Sequence, residues 1–138
     1  MNDRPNDVLR IRPEIPSARI SDNMSADERF QNKTLRPIIK LQNPLLIEVF
    51  RNYVNKHKGV FYALSLEKKL IFIENCIQKD IKFRNSLKGM VIGMFTVEEY
   101  LFYIENSSSL NKRMMNIVIE RLKDQVQLLD RPLLAEVV

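Results

Sequence analysis

A guanidinium on an apolar helix face is the feature of this sequence that most invites chemistry. Leu66, Leu70, Ile73, Ile77 and Ile81 are spaced by four, three, four and four, the pattern of one buried helical stripe. Continued past Ile81, that stripe places Arg84 near its middle, with Asp80 one turn earlier. A charge in such a position must be paired, and Asp80 with Glu98 or Glu99 is the expected source of the carboxylate. With Asn85 and Lys88 beside it, Arg84 also reads as the anion-binding arginine of a small pocket. The salt bridge, tying the helix to the corner that follows it, is the commoner use of such a network.

A second set of charges sits upstream. Arg29, Lys33, Arg36 and Lys40 recur at four, three and four, one basic row if the helix runs through Pro37. Such a row suits RNA, an acidic protein or a membrane surface. No exposed aromatic series accompanies it, so a solvated face is the simpler reading. His57, the only histidine, lies between Lys56 and Lys58 at an expected helix end, where imidazolium complements the dipole. With Cys76 19 residues away it matches no zinc spacing, and Cys76 reads as a small buried hydrophobe. The sequence implies no metal site and no cofactor.

Gly89 and Gly93, with Thr96 after them, resemble the corner of a helix-turn-helix. The helix that follows carries Glu98, Glu99 and Glu105 and no lysine or arginine, the wrong charge for an element lying against phosphates. Neither phosphate-binding glycine motif is present, and G-x-x-x-G has meaning only within about 20 apolar residues. What remains is punctuation: Gly89 for a close approach or a helix end, Gly93 for the turn before Thr96.

The elements that must position these residues are helical. "SADE" opens the first, with Ser25 as cap and Glu28 reaching back, and Pro37 should kink or end it. In "NPLLIEVFRNYVNKHKG", Asn43 reads as a cap, Pro44 as the first helical residue and Gly59 as the far end. Leu45, Leu46, Val49, Phe50, Tyr53 and Val54 share its apolar face. Ser65 caps the stripe already described, Thr96 and Glu99 form a capping box, and Ser109 caps the last helix. There Leu110, Met114, Val118, Leu122, Val126 and Leu129 point inward. Met115, Ile117 and Ile119 widen that face enough to put the helix at the centre, and Pro132 ends it.

With 45% apolar and 28% charged residues the 138-residue chain has the composition of a globular domain. Three glycines and six prolines leave little turn material for a sandwich or barrel. No apolar run reaches membrane-spanning length, "MNDRPNDVLR" does not read as a signal peptide, and a single cysteine fits a reducing cytoplasm. Acids and bases cancel over residues 1–24, so the net charge of +5 belongs to the remainder.

The runs "SADERFQNKTLRPIIKLQN", "FRNSLKGM", "FTVEEY" and "NSSSLNKRMMN" together resemble a family of short bacterial proteins without an established activity, over about residues 24 to 130. The resemblance implies an all-helical fold. Some members carry the label glyoxalase, which implies a small enzyme acting on an anionic metabolite. Glyoxalases use either paired βαβββ modules with His and Glu metal ligands or metallohydrolase folds with clustered histidines. This chain has one histidine, so the resemblance places no catalytic residue.

The sequence thus predicts an all-α protein: a compact bundle of about five helices over residues 25–131, an extended, proline-containing arm over 1–24 and a tail over 132–138. The leading functional expectation is a cytoplasmic protein-interaction or self-association module. It rests on wide apolar faces, on Met90, Met94, Met114 and Met115, and on an arm able to dock on a neighbour. RNA or polyanion binding through the basic row, helped by Lys56, Lys58, Lys68 and Lys69, is the second expectation. A small enzyme using Arg84 is the third.

Overall fold

The computed structural model describes residues 3–129, and no strand occurs among them. The elements are α1 (Arg4–Arg10), α2 (Ala26–Phe30), a π-helical segment (Gln31–Leu35), α3 (Arg36–Lys56), a 3-10 turn (Val60–Ala63), α4 (Leu66–Lys79), α5 (Ile81–Ile92), α6 (Val97–Glu105), α7 (Ser107–Asp124) and a second 3-10 turn (Val126–Leu129). The end of the expected bundle at residues 130–131, and the expected tail with Pro132, lie outside the described residues.

Two of the expected helices are one. The chain is helical without interruption over residues 26–56. Ser25 caps its start, Oγ accepting from the Glu28 amide. Pro37 has no N–H to return to the preceding turn, and its ring crowds the carbonyl four residues back. The chain answers by widening into the π segment and resuming as α3, so Pro37 neither ends nor breaks it. Asn43 and Pro44 likewise start nothing, because both lie inside α3. Asn43 instead exchanges two hydrogen bonds with Gln125 beyond α7, at 2.8 and 2.9 Å. Gln42 Nε2 donates to the Met90 carbonyl in α5 at 3.0 Å. The expected far end does hold: His57, Lys58 and Gly59 leave α3, and Gly59 takes φ 66° and donates to the Val54 carbonyl, a C-terminal closure that glycine accepts without strain.

One expected helix, conversely, is two. Ser65 caps α4 through the Lys68 amide, but the helix stops at Lys79. Asp80 is extended and caps α5, its carboxylate accepting from the Phe83 amide. This restarts the helical phase, so the stripe does not continue: Ile73 and Ile77 are fully buried while Ile81 is 71% exposed.

The core is organised on α7, which packs against α3, α4, α5, α6 and the π segment. Leu110, Met114, Met115, Ile117, Val118, Ile119 and Leu122 are all buried along it. Its cap is Asn106 and its first residue Ser107; Ser109 instead donates from its hydroxyl to Asp27 at 2.8 Å. Against α7 lie Leu35, Ile38, Leu46 and Phe50, with Phe61, Phe83, Leu87 and Val91 completing the interior. The methionines belong to this core: Met114 and Met115 are inside it, and Met90 and Met94 are half-buried against it. Gly89 continues α5, with nothing within 4 Å of where a Cβ would stand, and nothing in the structure explains it. A Cβ at Gly93 would press on the Gly89 carbonyl at 3.0 Å.

Truncating a fully packed side chain leaves a cavity as well as losing transfer energy. Ile73→Ala is therefore expected to destabilise the protein by about 3 kcal/mol. Ile81→Ala should stay within about 0.5 kcal/mol of the wild type, as exposed positions do. Urea unfolding of the two variants checks both the break at Asp80 and the core assignment.

Candidate functional site

Of residues 1–24, expected as an extended arm, the described part (3–24) contains α1 and then turns at 15–18 and 21–24, and it is tied to the chain's own surface. Arg4 donates to the Phe95 and Gly93 carbonyls at 2.6 and 2.8 Å. Arg12 donates to the Met94 carbonyl at 2.9 Å. Gly93, Met94 and Phe95 follow the C-terminus of α5, where carbonyls have no helical donor and carry the negative end of the dipole. The two arm arginines therefore close the corner between α5 and α6. Farther along, Arg29 donates to the Ser21 carbonyl, Asn32 to the Arg19 carbonyl and Lys40 to the Glu14 carbonyl.

Among the described residues the arginine buried against a carboxylate is Arg12, not Arg84. Its Nη1 and Nη2 each lie 2.7 Å from one oxygen of Glu99, and the two side chains are only 6% and 16% exposed. Glu99 also accepts from the Thr96 amide at 2.8 Å and from the Thr34 hydroxyl at 2.9 Å. Thr96 Oγ1 accepts from the Glu99 amide in return, so the expected capping box is formed. Thr34 reaches Glu99 from the π segment, buried to 2%. Burial alone pushes the Glu99 carboxyl up, but the Arg12 hydrogen bonds, the Thr96 amide, the Arg12 charge and the Thr34 hydroxyl outweigh it. The carboxyl is held below its usual 4.5.

The expected Arg84 site is not assembled. Arg84 is half-buried on α5, and Arg84, Asn85 and Lys88 make no side-chain hydrogen bond or ion pair among the described residues. Asp80 instead takes the Phe83 amide and the Tyr53 hydroxyl, and these bonds hold its carboxyl below the usual range. The basic row is also divided. Arg29 and Lys33 border a cleft toward α6, whereas Arg36 and Lys40 border another toward α7, because the π segment lies within the row and breaks its helical register. His57 Nδ1 sits 2.8 Å from the Tyr53 carbonyl, its ring stacked on Tyr53. Cys76 is buried, and desolvation with the nearby Asp80 charge pushes its thiol up to about 12, the opposite of an activated nucleophile. No group of three or more His, Cys, Asp or Glu able to hold a metal occurs among the described residues. No helix among them is long and apolar enough to cross a membrane.

Sequence reasoning passed over two features. On α6, Val97, Tyr100, Leu101 and Ile104 are 67%, 44%, 55% and 48% exposed. Their spacing of three, four and seven from Val97 puts them on one outward stripe. The signal was available: "VEEYLFYIE" is apolar at six of nine positions, five of them at 100–104, and only part of so short a helix can be covered. Its inward side holds Tyr103, which donates to Asn111, while Phe102 stacks on Phe30. Beside the stripe opens a cleft of about 480 Å³ lined by Leu9, Phe30, Phe102, Arg29, Lys33 and Glu98. The second feature is a polar cleft of about 670 Å³ between the arm, α3 and α7.

Compared with known proteins, the chain matches no family model, no curated protein and no solved structure.

Removing one partner of a buried ion pair leaves the other charge uncompensated. Arg12→Met is expected to cost about 3 kcal/mol, and Arg84→Met no more than about 0.5 kcal/mol, both read by thermal or urea unfolding. The pH dependence follows from Glu99. Its folded pKa is depressed, so its contribution is complete above the unfolded value near 4.5 and lost as pH falls through the folded value. A stability profile below pH 4.5 should therefore be flatter in Glu99→Gln than in the wild type.

Proposed function

We propose that the protein is an interaction module whose contact surface is the outward stripe of α6, and that its partner is an amphipathic helix with basic flanks. The observation that carries this reading is the exposure of Val97, Tyr100, Leu101 and Ile104 together. Contiguous apolar surface of this kind, with an aromatic residue in it, is the usual ground of a protein interface. Charge selects the occupant. Glu98 and Glu105 stand seven residues apart on one edge of the stripe, and α6 carries no cation. Two copies of α6 laid antiparallel oppose Glu98 to Glu105, which disfavours that self-pairing. The same carboxylates disfavour an anionic lipid surface. A partner helix with lysine or arginine along its edge satisfies both the stripe and the acids.

A synthetic leucine–lysine amphipathic peptide of about 18 residues, five helical turns, is the test probe, with its leucine–glutamate counterpart as control. The lysine peptide is expected to bind, to weaken with added salt, and to lose about tenfold or more in affinity toward Leu101→Ser/Ile104→Ser. Equal binding of both peptides, or binding indifferent to the double substitution, overturns the reading. A dimer in sedimentation equilibrium that the same substitutions dissolve replaces the partner helix with a second copy.

A further inference from the structure

We propose that the cleft between the arm, α3 and α7 binds a phosphorylated small molecule. Three cations converge on it: Arg36 and Lys40 from α3 and Arg121 from the last turn of α7. Glu28 is the only acidic residue among the described lining side chains. Among the described residues none of the three cations is in an ion pair. Like charges gathered in one concavity raise its potential and call for an anion. The arginines are presented differently. Asn32 Oδ1 accepts from Arg36 Nε at 3.3 Å, which orients that guanidinium and leaves both terminal nitrogens for a ligand. Arg121 makes no hydrogen bond among the described residues. Two guanidinium forks from separate helices match phosphate oxygens, which accept such donors in pairs.

The cleft's dimensions favour a small molecule over a nucleic acid strand. At about 670 Å³ it lies within the range of cofactor and metabolite sites. It is a bounded space: Ile15 to Ala18 of the arm form one wall, and Ile39 and Ile117 give an apolar contact for the body of the ligand. A strand of RNA needs a continuous basic track with stacking platforms, and here the basic row divides between two clefts. Because the arm supplies a wall, and Lys40 holds it through the Glu14 carbonyl, the occupied cleft should also hold the arm in place.

Isothermal titration calorimetry of the full chain at low salt, with inorganic pyrophosphate, ATP and a short oligouridylate as probes, tests the proposal. Pyrophosphate, ATP or both are expected to bind one to one, with affinity falling about tenfold or more in Arg121→Gln and in Arg36→Gln. Arg84→Gln, which removes the same charge elsewhere, should bind as the wild type does. Arg121→Gln breaks no hydrogen bond among the described residues, so its thermal midpoint without ligand should be unchanged, separating a binding loss from a folding loss. Two outcomes overturn the proposal: no heat with either phosphate compound, or oligouridylate binding that Arg84→Gln weakens as much as Arg121→Gln.

Discussion

The Glu99 carboxylate satisfies an amide, a hydroxyl and a bidentate guanidinium at once, and the placement of the whole N-terminal segment depends on it. Each of those donors comes from a different part of the chain: Thr96 from the turn before α6, Thr34 from the π segment, Arg12 from the arm. Buried ion pairs often add little net stability, since desolvation offsets attraction. What they fix is geometry, because only one arrangement leaves no charge stranded. With Arg12 set against Glu99, Arg4 falls beside the Gly93 and Phe95 carbonyls, and the arm then runs over the face where Arg29, Asn32 and Lys40 offer donors to its backbone. The basic residues of α2 and α3 are thus partly spent on holding a peptide that belongs to the same molecule.

The two prolines of the long helix show how tertiary bonds override local signals. Asn-Pro is a good helix start in isolation, yet here it lies in mid-helix. The neighbouring polar side chains are engaged outward, Asn43 with Gln125 and Gln42 with Met90. Pro37 is accommodated by the π turn, and that turn carries the buried Thr34 toward Glu99. A backbone irregularity forced by a ring constraint has become the means of directing a side chain.

Much of the fold was legible because helical burial is periodic. The stripes through Phe50, Ile73 and Met114, the caps at Ser65 and Thr96 and the closure at Gly59 all depend on residues within a turn or two of one another. Phase was harder to read. A single capping aspartate at Asp80 restarts the helical register, and with it Ile81 turned outward and the Arg84 constellation came apart. The Arg12–Glu99 pair was illegible for a different reason: its members are 87 residues apart, and no local pattern says which of 22 cations meets which of 17 acids. The α6 stripe was visible in composition, but a short helix with apolar residues nearly all round does not say which side is covered.

The central position of α7 bears on how the chain comes to be folded. The ribosome delivers it after α3, α4 and α5, which emerge with their greasy sides lacking a common backing. Contacts between distant parts of a chain are slow to form, since loop closure must precede them. Those helices therefore wait for the piece that lets them close, and in that interval they are natural clients for holding chaperones.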